Sequence, residues 1–432
     1  MLARIQECIL YRGFSNGEIL DDMTELINLY EADEEALKAR EDQFFKSVNG
    51  LVELAGMYGF SGNIWHTYLT FLLVNHENAF SMASEIRGAI KGSINDLAKN
   101  DFQIFKELYD FDITVFDKVF GTVCCRVICD YQTPDENSKL FNTRIRDRIC
   151  QMSKTLAAAT TTEEFMDDMV SFYKDFGVGK LGLHKAFRIG HDEEGKVEIQ
   201  PITRIAHVKI DDLVGYEIAK KKLIDNTEAF VQGRKANNCL LFGDAGTGKS
   251  SSVKAILNEY YGQGLRMIEV YKHQFKALSE VLEQIKDRNY KFIIYMDDLS
   301  FEEYELEYKY LKAILEGGLG KRPKNVLIYA TSNRRHLIRE KFSDKRELDD
   351  DLHNNDTVQE KLSLAARFGV TIYYGSPDKF QFQGIVKALA EKYHLDMPEE
   401  ELLLEANKWE ISHGGLSGRT ASQFITHLLG RK

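Results

Sequence analysis

The sequence predicts an α/β fold: a parallel sheet with helices on both faces, a C-terminal helical lid, and a mainly helical N-terminal domain. Three observations carry that expectation. Five short, almost continuously apolar runs alternate with helical stretches after residue 204. Such runs suit strands buried on both faces, as in a parallel sheet. Prolines number five in 432 residues, and Pro134 is the sole one before Pro201, so long helices can form upstream. The acidity is also one-sided: residues 1–200 hold 33 Asp and Glu against 21 Lys and Arg, and the rest hold 34 against 35.

Residues 1–183 read as helical, with apolar residues three and four apart, as at Phe102, Phe105, Leu108 and Tyr109. No period of 20–50 residues marks a solenoid. Residues 185–189 and 196–199 read as two short strands around the polar turn 190–195, and Pro201 follows. This places an N-terminal domain at 1–200, closed by that hairpin. An α/β domain follows at 201–376, with strands at 238–242, 266–270, 292–296, 325–330 and 370–374. The lid is expected at 377–432, after Pro377.

A chain of 432 residues needs two or three cores. Its 44% hydrophobic and 28% charged residues are those of a globular protein. The start, Met-Leu-Ala-Arg-Ile-Gln-Glu-Cys, lacks the apolar run of a signal peptide. The most apolar window, Leu69 to Val74, is too short to span a bilayer. A cytoplasmic protein without a membrane partner is expected. The six cysteines (8, 124, 125, 129, 150 and 239) are expected as free thiols. Cys125, Cys129 and Cys150 lack the CxxC pairing or nearby histidine of a metal site, and buried apolar roles suit them better. The acidic N-terminal half would repel phosphates, so nucleic acid is a disfavoured partner.

Residues Gly243 to Ser250 read Gly-Asp-Ala-Gly-Thr-Gly-Lys-Ser and fit G-x-x-x-x-G-K-[ST], the Walker A or P-loop pattern. Glycines let the backbone bend so that N–H groups surround phosphate oxygens, and the helix that follows adds its dipole. The expected contacts are Asp244, Ala245, Gly246, Thr247, Gly248, Lys249, Ser250 and Ser251. Lys249 would neutralise the β- and γ-phosphates, and Ser250 would hold Mg²⁺. The strand 292–296 then ends in Asp297 and Asp298. At the carboxyl edge of a buried strand beside the loop, Asp297 would hold Mg²⁺ and Asp298 would orient or deprotonate water. The expected cofactors are ATP or GTP, with Mg²⁺, and the resemblance below narrows the nucleotide to ATP.

In this order and spacing, the residues of 204–432 resemble the AAA+ ATPases. Asp212-Leu213-Val214-Gly215-Tyr216 looks like the segment that touches adenine, through Val214 and Gly215. Ala330-Thr331-Ser332-Asn333-Arg334 looks like the sensor-1 strand end, with Asn333 at the γ-phosphate or attacking water. Leu364-Ala365-Ala366-Arg367-Phe368-Gly369 looks like the arginine-finger region, and Ser417-Gly418-Arg419 looks like sensor 2. The strings GTGKSS, DDLSFE, LEGG, NVLIYATSNRRHL and SGR together resemble the bacterial predicted ATPases catalogued as domain of unknown function 815.

The resemblance implies a homo-oligomer in which Arg367 of one copy completes its neighbour's ATP site. It also implies hydrolysis that drives conformational change on a protein client, which the N-terminal domain would bind. Two alternatives are a nucleic-acid-associated loader and a nucleotide-dependent switch or scaffold with little turnover. The loader is aided by a basic cluster at 334, 335, 339, 341, 345 and 346, interleaved with acids. Lys220, Lys221 and Lys222 read as a solvated helix face. Many AAA+ proteins carry Asp-Glu where this chain carries Asp297-Asp298. The shorter second acid reaches less far, which implies slow hydrolysis.

Overall fold

The computed structural model describes residues 4–89, 91–133, 143–192, 194–203, 205–301, 305, 307–316, 323–333, 337 and 364–431. The chain divides into two compact units, one ending at His184 and one beginning at Lys185.

The first unit is helical, as its periodicity predicts. The helix Ile64–Asn75 is its axis: from Ile64 to Val74 every residue but His66 is buried. Such a helix must hide its polar atoms as well. Trp65 Nε1 donates to Leu108 O at 3.2 Å, Tyr68 OH to Asn16 O at 2.7 Å, and the Thr67 and Thr70 hydroxyls donate back to carbonyls one turn earlier. The apolar window is therefore a core helix, and no described helix is long and apolar enough to cross a membrane. Asp101, fully buried, accepts the N–H groups of Ile9, Leu10 and Tyr11 at 2.8, 2.7 and 3.0 Å. One carboxylate thus pins the N-terminal segment to the helix Ile94–Asp110.

The second unit is built on a seven-stranded sheet: β1 (Ala186–His191), β2 (Val197–Pro201), β3 (Cys239–Gly243), β4 (Leu265–Glu269), β5 (Lys291–Met296), β6 (Val326–Ser332) and β7 (Val370–Tyr374). The spatial order is β2-β1-β4-β5-β6-β3-β7, parallel except for the β1–β2 pair. All seven residues of β6 are buried, as expected of a strand covered on both faces. On one face Leu241, Tyr295, Tyr329 and Ile372 pack with Leu223 and Phe230 of the helix Glu217–Val231 and with Val253, Ile256 and Leu257 of the helix Lys249–Tyr260. Asn325, just before β6, ties down the turn upstream of β5 by donating to the carbonyls of Ile285, Arg288 and Tyr290.

The expected hairpin forms, but it belongs to this sheet and to the second unit. Ala186, Phe187 and Arg188 pair in parallel with Met267, Ile268 and Glu269. β4 would otherwise be an edge strand, and the hairpin takes that edge.

After β7 come three helices, Lys379–Lys392, Glu399–Ser412 and Gly418–Gly430, with their own core of Phe382, Val386, Ala406, Phe424 and Ile425. Asp378 and Ser417 cap the first and third by accepting the N–H groups of Gln381 and Thr420.

Candidate functional site

The sheet order sets three strand ends side by side. β5, β6 and β3 are adjacent and parallel, so the residues after Met296, Ser332 and Gly243 gather at one carboxyl edge. The chain leaves β3 into the glycine-rich loop. At Gly243 (φ +134°) a Cβ would stand 2.0 Å from Tyr374 O, so no larger residue fits. Gly246 and Gly248 have φ of +75° and +92°. Gly248 then caps the helix Lys249–Tyr260. Among the described residues, no protein acceptor takes the N–H groups of Ala245 through Ser251. They are the free donors of a bent loop and a helix start, which suit an anion.

Lys249 is buried at the loop's centre. Its Nζ donates to Gly243 O (2.9 Å), Asp244 O (2.6 Å) and Asn333 Oδ1 (3.0 Å). Burial lowers its pKa, the carboxylates of Asp244, Asp298 and Asp297 oppose that, and Arg419 adds to it; the net is a value below the ordinary one. A cation held this way gains from a phosphate partner.

Ser250 Oγ donates to Asp297 Oδ1 at 2.6 Å, and Thr331 Oγ1 donates to the same oxygen at 2.5 Å. Burial raises the Asp297 pKa, but the hydrogen bonds from Ser250 and Thr331 outweigh it and hold the carboxyl below its ordinary value. An ionised carboxylate touching a hydroxyl is an all-oxygen donor set. It fits Mg²⁺, which takes one or two protein oxygens and completes its shell with phosphate and water. Among the described residues, no group of three or more His, Cys, Asp or Glu forms a dedicated metal cage. The six cysteines are free thiols.

Asp298 follows with φ +50°, a left-handed turn at the strand end. Its N–H donates to Thr331 Oγ1 at 2.9 Å, and its carboxylate accepts Asn333 Nδ2 at 2.8 Å. Asn333 therefore bridges Lys249 and Asp298. Arg419 enters from the C-terminal helices, where its N–H donates to Gly246 O at 3.1 Å.

A cleft of about 780 Å³ joins these groups, within the range of small-molecule sites. Val214, Gly215, Ala245, Gly246, Thr247, Gly248, Lys249, Ser250, Ser251, Asp297, Asp298, Asn333 and Arg419 all line it. Two expected residues do not. Asp244 spends its N–H on Tyr374 O and its carboxylate on Ser376, so it offers the cleft neither. Arg367 lies three residues before β7, whose first residue, Val370, pairs with Cys239 at the start of β3. It is therefore at the amino edge of the sheet, opposite the loop.

Lys220 is not a solvated residue of its helix. Its side chain is 12% exposed, its Nζ donates to Leu213 O at 2.6 Å, and it lines the cleft, while Lys221 and Lys222 are exposed. Sequence reasoning also missed Ile385, Leu389, Ser422, Gln423 and Thr426, which form the cleft wall on the C-terminal helices. The spacing of 419, 422, 423 and 426 on one helix face was the available signal. The basic cluster at 334–346 lies outside the described residues.

The family described as protein of unknown function (DUF815) matches residues 182–432 of this chain. The replication factor C large subunit of Staphylothermus marinus is 36% identical over 74 residues, 17% of each chain. That of Aeropyrum pernix is 35% identical over 75 residues, 17% of this chain and 15% of its own. The chain thus spans about a sixth of the length of these curated relatives. Among solved structures, the FIGL-1 AAA domain in complex with ADP is similar at 17% identity and a TM-score of 0.36, covering 52% of this chain and 75% of its own. The Thermotoga maritima RuvB Holliday junction branch migration motor is similar at 14% identity and a TM-score of 0.31, covering 51% and 72%.

Proposed function

We propose, for a chain that belongs to the DUF815 family, an Mg²⁺-dependent AAA+ ATPase whose hydrolysis drives rearrangement between copies and on a protein client. The observation that carries this is the meeting of Lys249, Ser250, Asp297, Asp298 and Asn333 at the ends of three neighbouring parallel strands. Phosphoryl transfer is largely positioning and charge neutralisation, and those are the groups it needs.

In this reading the free N–H groups from Ala245 to Ser251 hold the phosphates, and Lys249 neutralises the β- and γ-oxygens. Ser250 and Asp297 would hold Mg²⁺, which would supply positive charge to offset that of the phosphates. Asp298 accepts a proton from the attacking water, and Asn333 fixes both the carboxylate and that water. Val214 and Gly215 meet the adenine. Arg419 faces the γ-phosphate from the helical lid. Arg367 serves a neighbouring copy, because its own cleft is at the other edge of the sheet. The acidic, helical first unit takes the client.

The test is steady-state phosphate release by the purified protein with Mg²⁺ and ATP. Asp298→Asn should still bind ATP and lose turnover by about 10²- to 10³-fold. Undiminished turnover in Asp298→Asn would remove its role, and binding without turnover by the unaltered protein would favour a nucleotide-dependent scaffold. A loader acting on nucleic acid takes support from the partial likeness to replication factor C. Filter binding of DNA across a salt series separates it, since phosphate contacts weaken steeply with salt.

A further inference from the structure

Asp244 is the P-loop residue whose side chain turns out of the cleft. Its Oδ2 accepts both the N–H (2.7 Å) and the hydroxyl (3.0 Å) of Ser376, which lies 132 residues further on. Its N–H donates to Tyr374 O at 3.0 Å. Ser376 stands in the short connection from β7, which ends at Tyr374, to the helix Lys379–Lys392. On the other side, the carbonyl of Asp244 accepts Lys249 Nζ at 2.6 Å and the Thr247 hydroxyl at 2.8 Å. One residue is thus bonded both to the ammonium of the phosphate cradle and to the start of the lid.

A second link holds the far end of the same helix: Lys392 Nζ meets Asp212 Oδ1 at 2.6 Å. That pair is 44% and 26% exposed, so it is screened by salt and worth little. The Asp244–Ser376 contact differs in kind. Both donors of one residue converge on one carboxylate oxygen, and the Asp244–Tyr374 backbone bond fixes their approach. Exposure limits its strength, but its geometry ties the peptide at 244 to the helix cap at Asp378, two residues past Ser376.

We propose that Asp244 is a positioning residue that couples phosphate in the P-loop to the angle of the C-terminal helices through Ser376. The inference rests on the nucleotide reading above. A phosphate drawing on Lys249 competes with the Asp244 carbonyl for the ammonium. Any turn of the peptide that follows is carried by the Asp244 side chain to Ser376, and from there to the helices that bring Arg419 to Gly246.

Hydrogen exchange across residues 379–392 tests this, with and without a non-hydrolysable ATP analogue, in the unaltered protein and in Asp244→Ala, Asp244→Asn, Ser376→Ala and Lys392→Ala. Binding of a fluorescent ATP analogue, kcat and KM are measured on the same samples. The analogue should protect the segment in the unaltered protein, in Lys392→Ala and in Asp244→Asn, which keeps an acceptor oxygen. In Asp244→Ala that protection and kcat should both fall by about three- to tenfold, with KM within about twofold. Ser376→Ala, which keeps its N–H, should fall between. Full nucleotide-dependent protection in Asp244→Ala, with normal analogue binding, overturns this inference alone. So does an Asp244→Asn as impaired as Asp244→Ala. Failure of the unaltered protein to bind the analogue overturns the nucleotide reading itself.

Discussion

Asp101 in the first unit and Asp297 in the second are both carboxylates held by several donors, and the donors differ in kind. Asp101 is sealed from solvent and satisfied by three backbone N–H groups of Ile9, Leu10 and Tyr11. Those donors cannot be lent to anything else without unfolding the segment. Asp297 is exposed at a strand end and held by two side-chain hydroxyls, from Ser250 and Thr331. A carboxylate fixed by backbone is architecture. One held by side-chain hydroxyls at an exposed strand end, beside a bent, donor-rich loop, is open to a further partner.

The contrast can be broken by substitutions that ought to affect one unit and spare the other. The largest effect is expected from Arg367→Ala, which should reduce turnover by about 10³-fold while leaving ATP affinity nearly intact. Adding a variant that lacks Lys249 but keeps Arg367 should restore part of the activity, and no recovery would place Arg367 outside any shared site. Next, Asp101→Ala should cost about 2 kcal/mol in denaturant unfolding of the first unit, since three N–H groups, one buried and two half-buried, lose their acceptor. ATP affinity should not follow it, and a matching loss of affinity would erase the distinction.

The smallest effect is expected from Thr331→Val, which removes one donor to Asp297 and the acceptor of the Asp298 N–H. Because the Asp297 pKa is depressed in the folded chain, its stabilising contribution is present above the unfolded value and lost as pH falls through the folded one. Thr331→Val should raise that folded pKa, lower stability near neutrality by about 1 kcal/mol, and shift the acid limb of turnover to higher pH. An unmoved acid limb would mean that Asp297 ionisation does not govern it.

What was legible in the sequence was what is local. The P-loop compresses three backbone requirements into eight residues, and the acids stand at the end of an apolar strand. Four of the five strands after residue 204 were readable because burial on both faces leaves no polar alternation to confuse them; β7, at the sheet's edge, alternates exposed and buried residues and was readable from its β-branched and aromatic run. The partners of the hairpin were not readable, since pairing with β4 depends on which edge is left open. Nor was Ser376 legible as the partner of Asp244, 132 residues away, because no periodicity reports a hydrogen bond closed by the fold. Lys220 misled for a related reason. A run of three lysines looks uniform, yet helix geometry sends the first toward Leu213 and its neighbours to solvent.

The left-handed turn at Asp298 bears on the choice of acid there. Asp and Asn tolerate positive φ better than longer side chains do, because a short polar group can bond to the adjacent backbone. Glutamate at this position would gain a methylene of reach and lose conformational ease. In the role proposed for Asp298, the Asp-Asp strand end would trade reach for a backbone that rests easily in its turn. An ATPase made on those terms would act as a timer, its interval set by how long each nucleotide lasts, more than as an engine rated by its throughput.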